Sequence, residues 1–178
     1  MSEQPNKKLE MAQAQFDGFE ESFKSVNLAT VSSEGLPHAS YAPFVYNENK
    51  EIFFFLSGMT QHCKNLTDTH KLSVLFVEDE SKTEQVFARK RLSYDAQSTL
   101  LERESPEWLN IVALFSDKFG ELIQQLRSMP DFRIFKCQLL KGRFVFGFGS
   151  AYNIEAENLN KLVAIRHTGH GHHHAHGK

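Results

Sequence analysis

Histidine is concentrated near the end of this chain. Of its nine histidines, six fall between positions 167 and 176, where glycines separate several of them. Imidazole is the commonest protein ligand for metals and also ligates haem iron, and glycines let several imidazoles reach one metal. Three interpretations are open: a purification tag, a loose metal-binding tail, and a specific axial ligand to a haem. The six candidates are His167, His170, His172, His173, His174 and His176.

A short basic run at 88–92, with the sequence ARKRL, has the composition of an anion site. Side chains alternate faces along a strand, so we expect Arg89 and Arg91 on one face and Lys90 on the other. Arginine suits carboxylates and phosphates because its planar guanidinium donates two parallel hydrogen bonds. The alternative is a solvated edge strand whose charges discourage aggregation.

Two further segments place polar groups where a strand or a helix begins. Asp131 precedes an apolar strand, as a turn residue or as a carboxylate that accepts Nδ1–H from a metal-bound histidine. Segment 56–66 predicts a strand that runs into a helix N-terminus, whose backbone N–H groups favour an anion. His62 and Lys64 would add donors there. The alternative for this segment too is a purely structural role.

Composition excludes several classes of protein. The chain has 178 residues, 20 basic and 22 acidic, and a pI near 6.5, which argues against a nucleic-acid partner bound by bulk positive charge. No run approaches the roughly 20 apolar residues that span a bilayer, so we expect no membrane insertion. Cys63 and Cys137 are far apart and form no C-x-x-C motif. We therefore expect free thiols and a cytoplasmic location, with no disulfide framework.

The hydrophobic patterning predicts an α+β protein. Apolar residues at helical spacing predict one helix over residues 1–24, and β-favouring runs predict four strands between 26 and 77. Pro43 indicates an edge or a bulge in the second strand. The remaining predictions are a strand at 89–96, a helix from Ser105 to about Arg127 with a break near 116–117, strands from Phe132 and Arg143 around a turn at 141–142, and a helix at 157–165. This arrangement favours a small closed barrel with segregated helices.

Five blocks, in this order and spacing, resemble the haem-utilisation proteins of the HugZ/HutZ type, within the FMN-binding, pyridoxamine-phosphate-oxidase-like split-barrel superfamily. The blocks are NLATV at 27–31, SYAPFV at 40–45, HCKNL at 62–66, FARKRLSYDA at 87–96 and FGFGSAY at 146–152. The resemblance implies a homodimeric, six-stranded antiparallel split β-barrel with flanking helices. It divides the chain into an N-terminal helix (1–24), the barrel (25–165) and a His/Gly-rich C-terminal loop (166–178).

The resemblance also implies a function and a set of site residues. Haem would bind near the subunit interface and be degraded oxidatively, with O2 and an external reductant or reductase, to an open-chain tetrapyrrole and free iron. His170, after Gly169, matches the iron ligand, and Asp131 matches the carboxylate that reaches the ligand's other nitrogen across the dimer. Arg91 matches an arginine near the haem, and His62 is assigned to cofactor binding.

Two other functions stay open. An FMN-binding oxidoreductase would use Ser57, His62 and Lys64 as phosphate contacts. A non-enzymatic haem storage or trafficking protein would use the histidine-rich tail as a metal trap.

Overall fold

The computed structural model describes residues 3–165. The helices are α1 (Glu3–Phe16), α2 (Gln61–Thr69), α3 (Pro106–Phe119) and α4 (Leu122–Ser128). The strands are β1 (Ser25–Val31), β2 (Pro37–Tyr46), β3 (Ile52–Ser57), β4 (Lys71–Val77), β5 (Arg91–Leu100), β6 (Phe132–Val145), β7 (Ala151–Ile154) and β8 (Leu162–Ala164). Short 3₁₀ turns lie at Phe19–Ser22, Glu80–Lys82 and Val86–Ala88.

Six of the strands form a closed antiparallel barrel. The strand order is β3-β2-β1-β4-β5-β6, and pairing of β3 with β6 closes the ring. Strand β6 spans 14 residues, of which 132–137 pair with β3, 135–145 with β5 and 142–145 with β7. Strands β7 and β8 continue the sheet beyond β6. The six-stranded α+β barrel expected from the sequence is confirmed, and two short strands are added to it.

Strand β2 leaves part of the barrel wall unpaired. Its residues 37–43 pair with β1, whereas pairing with β3 begins only at Phe44. Pro43, which lacks an N–H, therefore stands where β2 has a neighbour on one side alone. The prediction of an edge position for Pro43 is confirmed.

Two apolar clusters hold the elements together. The barrel interior is filled from alternate positions of the strands, with Phe44, Phe76 and Phe144 fully buried. The second cluster packs α3 and α4 on the outside of β3, around Trp108 and Phe115. Strand β3 is therefore buried on both faces, which explains its continuous run of apolar residues. Each large side chain buried in these clusters contributes roughly 1.5–3 kcal/mol of transfer free energy.

The structure corrects several sequence-based boundaries. Helix α1 ends at Phe16 rather than near residue 24, because Gly18 takes a left-handed backbone (φ 73°) before a 3₁₀ turn. The break after α3 falls at Gly120, not at 116–117, while the cap predicted at Ser105 is confirmed by its bond from Trp108 N–H. The segment predicted as a final helix is a turn followed by β8.

The turn predicted at 141–142 is wrong. Strand β6 runs through Lys141 and Gly142 without a break, although the register with β5 shifts at Asp95. Glycine is needed at position 142 for packing rather than for a turn, because a Cβ there would lie 2.5 Å from Cδ1 of Tyr94. The glycine lets the Tyr94 ring lie against the backbone of the neighbouring strand.

Both cysteines are interior residues. Cys63 on α2 and Cys137 on β6 are free thiols, and both are fully buried. Burial raises the pKa of each thiol above its ordinary value. Among residues 3–165, no helix is both long and apolar enough to cross a membrane.

Candidate functional site

One group of candidate residues lies where β3 ends and β6 begins. The Ser57 hydroxyl donates a 2.7 Å hydrogen bond to Oδ2 of Asp131, and the Gly58 N–H donates to the Asp131 carbonyl at 2.9 Å. A Cβ on Gly58 would lie only 2.9 Å from that carbonyl oxygen, so glycine is needed for this approach. The loop therefore fixes both the backbone and the carboxylate of Asp131.

The Asp131 carboxylate keeps one oxygen for another partner. Among residues 3–165 no donor binds Oδ1, and the side chain is half-buried rather than enclosed. The same turn carries Met59, which is 90% exposed. An oriented carboxylate with one unbound oxygen at an open turn is suited to accept a hydrogen bond from an arriving ligand.

His62 belongs to the contact between α2 and β2. Its Nδ1 lies 2.9 Å from the Ser40 hydroxyl, and the residue is only 9% exposed. Burial, and secondarily the nearby His38, lowers the pKa of the His62 imidazole below its ordinary value. His62 is therefore neutral at neutral pH, and its observed contact is with the protein itself.

Arg91 lies at the end of the barrel opposite to Asp131. It opens β5 on the outer face, between its cross-strand partners Val77 and Val145. Its guanidinium donates to the Arg89 carbonyl at 3.1 Å and, within the described part of the chain, has no carboxylate partner. The unpaired charge makes Arg91 available to an external anion.

The other two cations of the basic run are already bound. Arg89 precedes β5 rather than sharing a strand face with Arg91, and it pairs with Glu80 at 3.0 Å and with the Glu78 carbonyl. Lys90 donates to the Gln15 side chain at 2.6 Å. Of the three predicted cations, Arg91 alone has no hydrogen bond to another side chain within residues 3–165.

Exposed aromatic side chains surround the Arg91 end. Phe87, in the loop before β5, is 86% exposed, and Phe148, in the hairpin between β6 and β7, is 72% exposed. The backbone bonds from Glu78 N–H to Lys90 and from Phe146 N–H to Ser150 place both loops beside the start of β5. This end of the molecule therefore combines a free guanidinium with apolar surface.

A single chain does not bring Asp131 and Arg91 together. Phe132, next to Asp131, begins β6, whereas Val145, the partner of Arg91, ends it. At roughly 3.3 Å per residue, the path along β6 between them is about 40 Å. His170, the predicted iron ligand, lies outside the described residues.

The described residues bear on which metal or cofactor the protein could hold. Residues 3–165 contain no cluster of three or more His, Cys, Asp or Glu side chains able to hold a metal ion. A haem needs fewer protein groups: one axial donor, apolar surface and cations for its carboxylates. The Arg91 end supplies the surface and a cation, so it fits a haem that receives its axial ligand from elsewhere.

The fit to FMN is poorer. The Ser57 hydroxyl is already bound to the Asp131 carboxylate at 2.7 Å, so a phosphate on Ser57 would lie beside a negative charge. Lys64 is exposed in a cleft that Glu34 and Asp68 also line. The three predicted phosphate contacts therefore do not form an anion site in this structure.

Sequence reasoning missed two features of these sites. It selected Ser57 as a phosphate contact but not as the partner of Asp131, because 74 positions separate the two residues. It also did not single out Arg143, which it placed at the start of a strand with no indication of the neighbouring residues on β5. The signal in both cases is strand register, which the sequence alone does not supply.

Comparison with known proteins gives consistent relatives. A family model described as pyridoxamine 5'-phosphate oxidase matches residues 12–146. The Vibrio cholerae protein named heme oxygenase HutZ is 39% identical over 147 residues, which make up 83% of each chain. The match over most of the chain and this relative both show the family.

Solved structures agree with the sequence matches. The solved structure of Vibrio cholerae HutZ, which is described as a heme storage protein, superposes with a TM-score of 0.71 at 36% identity. The match covers 75% of this chain and 95% of the HutZ chain. Campylobacter jejuni ChuZ superposes with a TM-score of 0.78 at 35% identity, covering 92% of this chain and 65% of ChuZ. The resemblance stated from the sequence blocks is thereby confirmed, and the chain belongs to the pyridoxamine 5'-phosphate oxidase family as a homologue of HutZ.

Proposed function

We propose that this protein binds haem at the Arg91 end of the barrel and degrades it oxidatively. The observation that carries the proposal is the Arg91 guanidinium, which has no carboxylate partner within residues 3–165, at the end of the barrel whose loops carry the exposed Phe87 and Phe148. Haem is complementary to such a surface, because it is a flat apolar ring with carboxylates at one edge. The relatives support the ligand class, since HutZ is named a heme oxygenase and also described as a heme storage protein.

His170 is the proposed iron ligand, and the chain direction is consistent with it. Strand β8 is antiparallel to β7, with Ala164 opposite Tyr152, so the chain leaves the sheet at the Arg91 end. His170 lies five Cα–Cα steps beyond Ile165, and five steps of extended chain span at most about 18 Å. Three strand spacings between β8 and β5 amount to about 14 Å, so His170 of the same chain is within reach of Arg91.

Asp131 is proposed to act across a homodimer. Its carboxylate lies at the far end of β6 from Arg91, so one chain does not supply both groups to one site. In a dimer that pairs the two barrel ends, Oδ1 of Asp131 would accept Nδ1–H from His170 of the other chain. This hydrogen bond would orient the imidazole and raise its basicity.

The described residues constrain the chemistry that follows. Haem is the substrate, and with O2 and electrons from an external reductant the overall change yields an open-chain tetrapyrrole and free iron. The chain holds the porphyrin, orients the imidazole and supplies positive charge through Arg91. Both thiols of the chain are buried, so the axial ligand is an imidazole rather than a thiolate, whose stronger electron donation favours O–O cleavage.

The test is spectroscopic. Hemin is added to the protein, then ascorbate in air with catalase and a ferrous-iron chelator present, and the visible spectrum is followed. We expect a histidine-type Soret band that decays while chelated iron appears; His170→Ala should lose this band, whereas the control His174→Ala should keep it. A Soret band that persists under reductant and O2 would instead support haem storage. No haem uptake by the intact protein would reject the proposal.

A further inference from the structure

Strand register places a second arginine beside Arg91. On β5, residues 92, 94 and 96 point into the barrel, so Arg91 and Ser93 face outward. On β6, Phe144 points inward, so Arg143 and Val145 face outward. Arg91 is paired with Val145 and Ser93 with Arg143, which makes the two arginines diagonal neighbours on one face. Diagonal neighbours of this kind lie about 7–8 Å apart.

Arg143 carries an unneutralised charge. It is exposed, and no hydrogen bond or ion pair to its guanidinium exists within residues 3–165. By contrast, Arg89 and Arg127 are paired with Glu80 and Glu104 at 3.0 Å and 2.8 Å. Two guanidinium groups without a carboxylate partner repel each other at diagonal positions, and an anion bound between them would relieve this repulsion.

The residues paired with Arg143 across the strands are polar and uncharged. Its cross-strand partners are Ser93 and Asn153, which add a hydroxyl and an amide to the same row. A cleft of about 310 Å³ lies along this row, and Asp95 and Glu155 also line it. Asp95 is already engaged by the Ser73 hydroxyl at 2.7 Å and by Lys141 at 3.6 Å. The opposite side of Arg143, towards Arg91, has no acidic residue in the paired rows.

Apolar residues border the two arginines. The row of Arg91 consists otherwise of Val77, Val145 and Ala151, and the hairpin that follows Val145 carries the exposed Phe148. A ligand that fits this face has two carboxylates at one edge and an apolar body. These are the features of a porphyrin, whose two propionates project from neighbouring pyrroles.

We propose that Arg143 and Arg91 together bind the two propionates of haem on the outer face of β5 and β6. The inference rests on the proposed function and adds a residue and an orientation to it. Each planar guanidinium forms two parallel, charge-assisted bonds to one carboxylate. The porphyrin then extends from the arginines over Val145 towards Phe148, at the end where the chain continues towards His170.

The test separates the carboxylates from the iron. Iron-free protoporphyrin IX measures binding without the axial ligand, by quenching of its fluorescence, and hemin dimethyl ester measures binding without free carboxylates. The variants are Arg143→Gln and Arg91→Gln, with Lys71→Gln as the matched control. Lys71 is an exposed cation on the same outer face, at the far end of β4. Circular dichroism confirms that each variant is folded.

We expect Arg143→Gln to weaken the binding of protoporphyrin IX and of hemin about tenfold, and Arg91→Gln to weaken it by a similar factor. The reason is that loss of a hydrogen bond to a charged group raises a dissociation constant by about tenfold or more. Lys71→Gln should bind as the wild type does. The dimethyl ester should bind weakly, and equally to wild type and Arg143→Gln. If the wild type takes up hemin but Arg143→Gln binds protoporphyrin IX and hemin equally well, the role of Arg143 is refuted while the haem function stands. If the wild type takes up no hemin, the proposed function itself fails, and this inference with it.

Discussion

The hydrogen bond from Ser57 to Asp131 gives one carboxylate oxygen a fixed partner and leaves the other oxygen free. A bond to a charged group of this kind is worth about 1.5–3 kcal/mol, enough to hold the side chain in one rotamer. The same bond withdraws electron density from the carboxylate, so Asp131 accepts a further hydrogen bond less strongly than an unbound aspartate would. A histidine bound to Oδ1 would therefore keep moderate rather than full imidazolate character.

At the residue scale, the lowered pKa of the His62 imidazole makes the free energy of unfolding depend on pH. Its folded-state pKa lies below the ordinary value of 6.5, so between the two values the unfolded chain binds more protons. The free energy of unfolding therefore falls as the pH drops from above 6.5 through the folded-state pKa. We expect His62→Gln to lose less of its unfolding free energy than the wild type between pH 7.5 and pH 5. Urea titrations at both pH values measure this, and an equal loss in the two proteins would contradict it.

Single residues were predicted from the sequence where the chemistry is local. Asp131 was selected because a carboxylate precedes an apolar strand, and the basic run at 89–91 because its arginines cluster, while the family resemblance then singled out Arg91. Their surroundings were not predictable in this way. The partner of Asp131 lies 74 positions away, and the neighbours of Arg91 on β4 and β6 are set by register.

At the scale of the elements, β6 shows how a local signal is overruled. Lys141-Gly142 has the composition of a turn, yet the chain stays extended there because it pairs with β5 on one side and, from Gly142, with β7 on the other. The ring of Tyr94 takes the space that a side chain at position 142 would need. The same effect decides the segment at 162–164, where pairing with β7 replaces the predicted helix. Helices with strong local signals, such as α3 with its Ser105 cap, were predicted correctly at their start.

Gly142→Ala tests this packing. The added methyl would lie 2.5 Å and 2.7 Å from the Tyr94 ring and 2.8 Å from the Ser93 carbonyl oxygen, so β5 and β6 must separate. We expect a loss of about 1–3 kcal/mol in the free energy of unfolding, measured by urea denaturation. The control is Lys141→Ala at the adjacent exposed position, which should change stability by less than about 0.5 kcal/mol. Equal stability of Gly142→Ala and the wild type would show that the contact is not tight.

For the whole molecule, the barrel was predictable because the number of strands and their short connections leave few arrangements. Its closure between β3 and β6 was not, since these strands are separated by the whole of α2, β4, β5, α3 and α4. The separation of Asp131 from Arg91 is a property of the closed barrel, visible only after β6 is known to be one strand. It is this separation that makes a second chain necessary for the proposed site.

A mixing experiment tests the shared site. Asp131→Asn and His170→Ala are each expected to turn haem over slowly or not at all as pure proteins. Exchange of subunits between them would produce mixed dimers in which one site has both His170 and Asp131 intact. We expect the mixture to recover up to a quarter of wild-type turnover, because about half of the dimers formed by random exchange are mixed and each has one complete site.

The control for this experiment mixes each variant with the double variant Asp131→Asn/His170→Ala. In each of those mixtures every chain lacks the same residue, either Asp131 or His170. No site can then contain both residues, so no recovery is expected. If the mixture of the two single variants also recovers no turnover although subunit exchange is demonstrated, Asp131 and His170 do not form one site from two chains. Asp131 then has another role.

The burial of Cys63 and Cys137 has a consequence for a protein that would handle iron, O2 and a reductant together. Such mixtures release peroxide, and peroxide attacks cysteine as the thiolate. Both thiols are enclosed by the barrel and its helix, and burial raises the pKa of each, so neither offers a thiolate to solvent at neutral pH. The fold thus shields both cysteine thiols from oxidation by peroxide.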